Sequence, residues 1–276
     1  MLVESALALS DSELAGIVRL VYEKSGITLH DGKRALIVAR LQKRMRTGGF
    51  TSFGDYLKIV RSDASGQELG LLLDAIATNH TSFFREPQHF GILCDQVLPA
   101  WRATGRRPLH IWSAACSSGE EPYTIVMSLA DAGVPADDVR VLAGDLSSKA
   151  LTRARGAVYP MDRVEGLPIE TLRHHFEKGL GAQAGTARVQ AHVRRPIEFQ
   201  QMNLLEIDDV GRRFDAIFCR NVMIYFDKTV QQRVVSMLER HLQPGGYLFI
   251  SHSESLNGIR HGLTWVAPAV YVRRSA

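Results

Sequence analysis

Residues 109–122, LHIWSAACSSGEEP, join a short apolar run to seven small residues and the start of a predicted helix. The small residues, 113–119, leave room for a ligand to lie against the backbone. The first amides of the following helix point toward the same space, because they have no partner within the helix. Nucleotide sites in open α/β sheets are built in this way at the carboxyl ends of strands. The stretch therefore predicts such a sheet, with a ligand site after its first strand.

The residues of this turn narrow the kind of ligand. Only Gly119 is a glycine, so the phosphate-binding pattern G-x-G-x-x-G is not met. Glu120 and Glu121 follow at once, and their carboxylates repel phosphate groups. Acids at this place suit a ligand that carries a cation, hydroxyl groups or an amine. They favour S-adenosyl-L-methionine over a dinucleotide. The alternative is a tight strand-to-helix connection without a ligand.

Length and composition exclude several classes of protein. The 276 residues are 45% hydrophobic and carry a net charge of +4, with an isoelectric point near 9.0. No apolar run approaches the ~18 residues of a membrane-spanning helix, and residues 1–10 lack the basic start of a secretory signal. Cys94, Cys116 and Cys219 are too widely spaced for a metal site, which indicates reduced thiols. We expect a cytoplasmic protein without membrane insertion, whose mild positive charge suits an acidic partner but does not demand nucleic acid.

The first part of the chain, residues 1–76, is predicted to be an all-helical domain. Ser10 or Asp11 can cap a first helix, whose apolar residues recur at helical spacing until Gly26 ends it. Further helices are predicted near residues 32–46, 52–60 and 67–77. Residues 77–90 are expected to link this domain to the rest of the chain.

From residue 91 to residue 276, short apolar runs alternate with helical segments, which predicts a mostly parallel sheet with helices on both faces. Strands are predicted at 109–113, 139–144, 197–200, 214–219, 247–251 and 270–273, and helices near 122–132, 149–155, 169–176 and 229–242. The final strand should be antiparallel and near the sheet edge. The segment of about residues 160–200 is too long for a simple crossover. Its glycines and a strand pattern over Ala187–Val193 predict a small inserted antiparallel β-subdomain.

Polar side chains follow two of the predicted strands, where a ligand of an open sheet would bind. Asp145 follows the second strand and can accept hydrogen bonds from ribose hydroxyls; the alternative is an N-cap of the next helix. Arg220 and Asn221 follow the buried strand that begins at Phe214, and Tyr225 comes soon after. For Tyr225 the alternative is an ordinary core tyrosine.

The predicted linker holds further candidate residues. Asn79, Thr81 and Arg85 are interleaved with phenylalanines at the junction of the two domains, a favoured place for a ligand. The alternative is a linker docked through its apolar side. No histidines or cysteines stand at metal-ligand spacing, so we expect no metal site.

The predicted second helix contains six cations and no acid between residues 33 and 46. Lys33, Arg40 and Arg44 fall on one side of it, away from an apolar stripe, so we expect an exposed cationic surface. The alternative is a solvated face without a partner. Because no aromatic residues lie among these cations to stack on bases, nucleic acid is not the expected partner.

Five ordered motifs resemble one family, the chemotaxis receptor glutamate methyltransferases of the CheR type, over roughly residues 11–273. They are Thr78–Arg85, Trp112–Tyr123, Asn203–Leu205, Phe214–Asp227, and Gly246 with Ser251–Glu254. The resemblance implies an N-terminal helical domain, a linker, and an S-adenosyl-L-methionine-binding α/β domain with an inserted β-subdomain. It implies methylation of receptor glutamates, with S-adenosyl-L-homocysteine as the other product and no metal.

The resemblance also assigns roles to residues. It implies that nine residues contact the cofactor: Asn79, Thr81, Arg85, Glu120, Asp145, Asn203, Leu204, Arg220 and Asn221. Arg85 and Tyr225 would lie nearest the transferred methyl group, and Lys33, Arg40 and Arg44 would dock on the cytoplasmic helices of a receptor. The β-subdomain would hold a C-terminal receptor pentapeptide, and the protein would act as a monomer. Whether Glu120 or Glu121 faces the ligand stays open.

The proposed chemistry needs few groups from the protein. A glutamate side chain has a reference pKa near ~4.3, so the nucleophile is already ionised at neutral pH and no general base is required. Two other functions stay open at this point. The basic isoelectric point permits an RNA methyltransferase, and a cofactor-sensing adaptor without catalysis would carry the same binding residues.

Overall fold

The computed structural model describes residues 9–29 and 31–274. Within them, the chain divides into two compact units. The first ends at Thr78 and also contains Tyr225–Val230, whereas the second contains Asn79–Ile224 and the chain from Gln231 onward. A short segment from the second half of the sequence therefore belongs to the N-terminal unit.

The first unit is helical in its described residues, as the sequence predicts. Its α-helices are α1 (Asp11–Ser25), α2 (Arg34–Gly48), α3 (Phe53–Ser62) and α4 (Gln67–Ile76). Ser10 and Glu13 form a capping box at the start of α1, and Gly26 ends it with a φ of 71°. Ile17, Leu41 and other apolar residues at helical spacing are fully buried and form the core of the unit.

The described part of the second unit contains ten strands. In chain order they are β1 (Leu109–Ser113), β2 (Val139–Asp145), β3 (Val158–Pro160), β4 (Phe176–Lys178), β5 (Thr186–Val189), β6 (Ile197–Gln201), β7 (Phe214–Phe218), β8 (Leu242–Phe249), β9 (Leu263–Ala267) and β10 (Val270–Arg273). Seven of them form one sheet in the order β6-β2-β1-β7-β8-β10-β9. The five strands from β6 to β8 pair in parallel, and β10 is antiparallel to both of its neighbours. The predicted mostly parallel sheet is confirmed.

Helices precede and connect these strands. They are α5 (Gln88–Ile92), which continues through a π-helical turn into α6 (Leu98–Ala103), then α7 (Glu120–Asp131), α8 (Ser148–Gly156), α9 (Ile169–His175), α10 (Ala191–Arg194) and α11 (Lys228–His241). The central strand β7 is buried at every position. The rings of Phe218 and Phe249 stack with centroids 4.3 Å apart. The carboxyl ends of β1, β2 and β7 are thereby held side by side on a rigid core.

The segment between β2 and β6 contains a separate three-stranded antiparallel sheet in the order β3-β5-β4. The small antiparallel sheet expected from the sequence is therefore present. The strand predicted across Ala187–Val193 is wrong beyond Val189, because the chain turns into α10, where the Val193 and Arg194 amides donate to the Gln190 carbonyl. The remaining strand, β5, is the central strand of this small sheet.

Candidate active site

The small-residue turn after β1 is hydrogen-bonded to the ends of the two strands that flank β1 in the sheet, β7 and β2. The Ala114 amide donates to the Phe218 carbonyl at 2.8 Å, and the Cys116 amide donates to the Gly144 carbonyl at 2.8 Å. These bonds tie the turn to the ends of β7 and β2. The backbone is therefore fixed at the edge of the sheet where ligands of open α/β sheets bind.

Two residues inside this turn have distinctive surroundings. Gly119 has a φ of 97°, and a Cβ there would lie 2.9 Å from the Cβ of Ala154 and 3.0 Å from the hydroxyl of Tyr159. Ser117 is 8% exposed, and its hydroxyl has no hydrogen-bond partner among the described residues. A buried hydroxyl of this kind marks a place that a ligand or a water can complete. The absence of a side chain at Gly119 thus lets the turn pack against Ala154 and Tyr159, and the Ser117 hydroxyl is the atom of the turn that a polar ligand can complete.

Asp145, at the end of β2, holds two loops together. Its Oδ2 accepts from the Ser117 amide at 2.7 Å, and its Oδ1 accepts from the Ser147 amide at 2.9 Å. The N-cap of α8 is Ser147, whose Oγ accepts from the Ala150 amide at 3.0 Å. The alternative that Asp145 is this N-cap is therefore wrong. Asn79 reaches the same place, since its Nδ2 donates to the Oγ of Ser147 at 3.3 Å.

The turn after β6 runs next to Asp145. The Met202 amide donates to the Asp145 carbonyl at 2.9 Å, and the Leu205 amide donates to the Asn203 side-chain oxygen at 3.1 Å. Leu204 is 9% exposed. Asn203 and Leu204, two of the cofactor contacts that the resemblance implies, thus lie on a short turn at the same edge of the sheet as Asp145.

Glu120 is the first residue of α7 and is 1% exposed. Its Oε2 accepts from the hydroxyl of Ser118 at 2.7 Å, and its Oε1 accepts from Nη2 of Arg163 at 2.6 Å. The same nitrogen of Arg163 donates to the Thr81 carbonyl at 2.6 Å. Arg163 therefore joins two residues that the sequence predicts as cofactor contacts.

Glu121 lies in a different network, centred on Arg220. The side chain of Arg220 is 2% exposed and donates to Glu121 at 2.9 Å, to Glu86 at 2.9 Å and to the Arg85 carbonyl at 2.5 Å. Glu121 also accepts from the Ser113 hydroxyl at 2.6 Å. Arg220 thus fixes the linker at Arg85 to the sheet, a role that the sequence did not indicate. A direct contact between Arg220 and the cofactor stays a prediction.

The two residues predicted nearest the methyl group belong to different units. Arg85 lies in the second unit, is partly exposed, and donates from Nη1 to the His80 carbonyl at 3.0 Å. Tyr225 ends the short 3-10 turn Met223–Tyr225 and belongs to the first unit, where its carbonyl accepts from the Thr28 amide at 2.8 Å. Their roles in catalysis stay predictions.

The loop after β7 is organised by Glu254. Its carboxylate accepts from the amides of Asn221 at 3.1 Å, Met223 at 2.8 Å and Ser251 at 2.8 Å. Burial raises the pKa of Glu254 even though these amides favour its ionised form. Asn221 has a φ of 59°, and its Nδ2 donates to the Ser251 hydroxyl at 2.6 Å. Glu254 therefore stabilises the left-handed turn at Asn221, one of the predicted cofactor contacts.

The cationic surface expected on α2 needs correction. Lys33, Arg40 and Arg44 are only partly exposed. Arg44 forms an ion pair with Glu68 of α4, and Arg40 donates to the Ile76 carbonyl and, at 3.0 Å, to the Thr78 hydroxyl. Two of the three predicted docking cations therefore stabilise the helical unit itself. The exposed cations of α2 include Lys43 and Arg46.

Glu86, His89 and His252 could each bring one ligand atom to a metal, within 4.8 Å of one another. His89 is fully buried, and burial followed by the nearby charge of Arg220 lowers its pKa to about 4. Glu86, however, is already engaged by Arg220 at 2.9 Å and by the Ser251 hydroxyl at 2.7 Å. Burial would raise the pKa of Glu86, but these two partners hold it below its usual value. The expectation that the protein uses no metal stays a prediction.

Comparison with known families identifies the two parts of the chain. Residues 12–77 match the all-alpha domain of the CheR methyltransferases, and residues 79–271 match their SAM binding domain. The chain belongs to the CheR methyltransferase family. It is accordingly an S-adenosyl-L-methionine-dependent methyltransferase, and the strands β1, β2 and β7 lie within its SAM binding domain.

Individual relatives cover nearly the whole chain. The methyltransferase is 39% identical to the chemotaxis protein methyltransferase of Escherichia coli K12, over 96% of this chain and 92% of that protein. It is 40% identical to chemotaxis protein methyltransferase 2 of Pseudomonas aeruginosa, over 91% of this chain and 89% of that protein. The likeness to a solved structure, that of the amino pentose methyltransferase CalS10 of Micromonospora echinaspora, is weaker. The identity is 15%, over 59% of this chain and 49% of that chain, and the TM-score is 0.35. Among the described residues of the methyltransferase, no helix is long and apolar enough to cross a membrane.

Sequence reasoning missed three residues of this site. Glu86 and Glu254 had a local signal, because Glu86 directly follows Arg85 and Glu254 closes a motif beginning at Ser251. Arg163 had none, since it lies in the inserted segment outside every motif. In the methyltransferase, Arg163 is bound to Glu120 and to the Thr81 carbonyl, Glu86 to Arg220, and Glu254 to the Asn221 amide.

Proposed function

We propose that this methyltransferase transfers the methyl group of S-adenosyl-L-methionine to glutamate side chains of chemoreceptors, giving methyl esters and S-adenosyl-L-homocysteine. The similarity to a chemotaxis protein methyltransferase along 96% of the chain carries the proposal. The reaction would serve sensory adaptation, and we place the protein in the cytoplasm as a monomer. We retain residues 1–76, 77–90 and 91–276 as its helical domain, linker and catalytic domain, with the β-subdomain at about 160–200.

Bound S-adenosyl-L-methionine supplies a methyl group on a positively charged sulfur. We assign its contacts to Asn79, Thr81, Arg85, Glu120, Asp145, Asn203, Leu204, Arg220 and Asn221. The buried carboxylate of Asp145, at the end of β2, supports this assignment, because an acid there can bind ribose hydroxyls. Both adjacent acids have partners within the protein, Arg163 and Ser118 for Glu120 and Arg220 and Ser113 for Glu121. We keep Glu120 as the contact that the resemblance implies.

Catalysis in this proposal is mainly positioning. The receptor carboxylate is ionised at neutral pH, so Arg85 and Tyr225 need not accept a proton from it. The planar guanidinium of Arg85 can hold a carboxylate by two parallel hydrogen bonds, in line with the methyl group. Such alignment can lower the barrier by several kcal/mol. Tyr225 would donate a hydrogen bond or shape the path of the methyl group.

We propose that α2 presents the receptor-docking surface. Lys33, Arg40 and Arg44 remain its predicted residues, although Arg40 and Arg44 also have partners within the helical unit. The exposed Lys43 and Arg46 extend the positive charge of the same helix. An acidic receptor surface would be attracted to them, and the attraction should weaken as salt rises.

We also propose that the inserted sheet holds a C-terminal receptor pentapeptide. Because β5 is central, its backbone groups pair with β3 and β4 on both sides, so an added peptide strand needs an outer strand. Of the two outer strands, β3 ends at Pro160, which has no amide to donate. We therefore assign the peptide to β4. Such binding would raise the local concentration of receptor without adding contacts at the reacting groups.

The experiment that tests the proposed function is transfer of a labelled methyl group to receptor-containing membranes, with transfer RNA as the competing substrate. Wild-type protein should label the receptor, and the label should be released as methanol in base, as a methyl ester requires. Arg85→Lys and Tyr225→Phe should lower turnover at saturating cofactor while the thermal midpoint is unchanged. Arg85→Lys keeps the charge and loses the planar fork, so it tests geometry.

Three results would contradict parts of this proposal. Labelled RNA without labelled receptor would favour an RNA methyltransferase. Cofactor binding without transfer to either substrate would favour an adaptor. Wild-type turnover in both variants would remove Arg85 and Tyr225 from the reacting centre.

A further inference from the structure

The inserted sheet packs directly on the linker that carries predicted cofactor contacts. Tyr159 of β3 and Phe176 of β4 both contact the ring of Phe83, with centroids 4.9 Å and 5.3 Å away in edge-to-face geometry. All three rings are buried, with exposures of 4% for Tyr159, 7% for Phe176 and 6% for Phe83. Edge-to-face aromatic pairs stabilise a contact beyond the area they bury. The linker beside Thr81 is therefore held in place by the inserted sheet.

The same sheet also holds the small-residue turn. The hydroxyl of Tyr159 donates to the Ser118 carbonyl at 2.7 Å. This hydroxyl also occupies the space beside Gly119, where a Cβ would approach it to 3.0 Å. Burial raises the pKa of Tyr159 well above its usual value, so the hydroxyl keeps its proton and remains a donor. The backbone just before α7 is thus fixed from the side of β3.

Arg163 adds a charged contact from the 3-10 turn Met161–Arg163, which directly follows β3. Its Nη2 bridges the Thr81 carbonyl and the Glu120 carboxylate, both at 2.6 Å. Glu120 is 1% exposed, and a buried carboxylate requires a charged or hydrogen-bonding partner. The side chain of Arg163 is 36% exposed, so it reaches from the surface to a buried acid. It joins the linker and the start of α7 at the two residues assigned to the cofactor.

We propose that Arg163 and Tyr159 are positioning residues for the cofactor, so that the inserted sheet sets the affinity for S-adenosyl-L-methionine. This inference rests on the proposed cofactor contacts at Thr81 and Glu120. It gives the inserted sheet a role at the cofactor site in addition to any peptide that it holds. Because coupling between two ligands is reciprocal, a peptide bound to this sheet and the cofactor would change each other's affinity by the same factor.

The test is calorimetric binding of S-adenosyl-L-homocysteine to the full-length protein. Arg163→Ala should weaken binding about tenfold, because a charge-assisted contact to Glu120 and the bond to Thr81 are both lost. Arg163→Lys should bind with intermediate affinity, because it restores the charge but not the bridging geometry. Tyr159→Phe should weaken binding in the same direction. The matched control is Arg173→Ala, an exposed arginine of the same inserted segment that pairs only with Glu170 among the described carboxylates.

Two further measurements separate positioning from a general loss of stability. In Arg163→Ala, the KM for S-adenosyl-L-methionine should rise about tenfold, while kcat at saturating cofactor stays within twofold of wild type. Hydrogen exchange of the amides in Val158–Val189 should slow when S-adenosyl-L-homocysteine binds the wild-type protein. That protection should be lost in Arg163→Ala.

The outcomes are distinguishable from failure of the site assignment. If Glu120→Gln weakens binding but Arg163→Ala and Tyr159→Phe stay within twofold of wild type, the positioning role is overturned. If Glu120→Gln and Asp145→Asn also bind as wild type, the cofactor site itself has been misassigned. If Arg163→Ala does not fold, Arg163→Lys and Tyr159→Phe test the proposal instead. Wild-type affinity for S-adenosyl-L-homocysteine in both of these variants would overturn it.

Discussion

Four acidic side chains lie around the strand ends, three of them buried and Glu254 partly buried, and hydrogen-bond donors hold each of them. Glu120 is held by Arg163, Glu121 by Arg220, and Asp145 and Glu254 by backbone amides. A buried carboxylate is costly without such partners, because it loses its hydration. The partners therefore fix the geometry of the turns around the site before any ligand arrives, which lowers the cost of ordering them on binding.

At the residue scale, His89 provides a test in its pH dependence. It is fully buried, its ring faces Glu86, Arg220 and His252, and its pKa is lowered to about 4. The unfolded chain takes up this proton near pH 6.5, so it binds more protons than the folded chain between pH 6.5 and 4. The free energy of unfolding should therefore fall as the pH drops through this window, by up to about 3 kcal/mol from this group.

The measurement is an NMR titration of the ring protons, combined with denaturant unfolding at several pH values. The ring of His89 should titrate near pH 4, and His89→Gln should flatten the pH dependence of unfolding. His252→Gln, at the exposed neighbour, assigns the signals. A midpoint near 6.5 for His89 would show that its site is hydrated and this account is wrong.

At the scale of elements, the sequence predicted the helices of the first unit and most of the strands of the large sheet. Their patterns are local: a cap at Ser10, a stop at Gly26, and apolar runs such as the one after Phe214. The sequence missed β9, the short strands β3 and β4, and the turn from β5 into α10. The strands β3 and β4 have only three residues each, too few positions for an alternating pattern to be distinguished from a loop or a turn.

The long-range partners of the site could not be predicted for a related reason. Arg163 lies 43 positions from Glu120, Arg220 lies 134 positions from Glu86, and Glu254 lies 33 positions from Asn221. Spacing along the chain carries no information about such pairs until the sheet has brought the strand ends together. The predicted site residues were found instead because they directly follow strands or lie in continuous motifs.

Helix α2 gives the prediction at this scale. Arg44→Glu would place a second carboxylate next to Glu68, so it should destabilise the helical unit by about 1–3 kcal/mol. Lys43→Glu with Arg46→Glu changes exposed cations, so it should leave stability nearly unchanged and lower methylation of intact receptor at low salt. Thermal unfolding and initial methylation rates at several salt concentrations measure the two effects.

A charge exchange supplies the control. Arg44→Glu combined with Glu68→Arg should recover much of the stability lost in Arg44→Glu, because the ion pair is restored in the opposite sense. Two results together would show that the cations of this helix are only solvated and do not dock the receptor. They are a wild-type methylation rate that does not depend on salt, and the same rate in the Lys43→Glu, Arg46→Glu variant.

At the scale of the whole molecule, the inserted sheet offers a sharp test of the proposed peptide tether. Glu177 is the register partner of Arg188, and the Gly179 amide donates to the Thr186 carbonyl. Hydrogen-bonded pairs alternate along an antiparallel ladder, so the backbone of Lys178 faces away from β5. Lys178→Pro should remove the outward amide and abolish binding of a free receptor pentapeptide, whereas Lys178→Ala should retain it.

Peptide titration followed by chemical shifts or heat decides this prediction. Binding to Lys178→Pro as tightly as to wild type would place the peptide elsewhere on the surface. If millimolar peptide causes no heat or chemical-shift change with the wild-type protein, the inserted sheet does not bind the peptide. In both cases the proposed role of Arg163 and Tyr159 at the cofactor site is tested separately.

The segment Tyr225–Val230 belongs to the N-terminal helical unit. There Phe226 forms an antiparallel bridge with Ile27, and the Tyr22 hydroxyl donates to Asp227 at 2.7 Å. A chain leaves the ribosome from its N-terminus, and domains usually fold in that order. The helical unit of this protein must wait for about 150 further residues, because its last segment is made only after β7. Completion of the first unit is therefore a late event in biosynthesis, and a nascent chain halted before residue 225 would expose the surface that this segment covers.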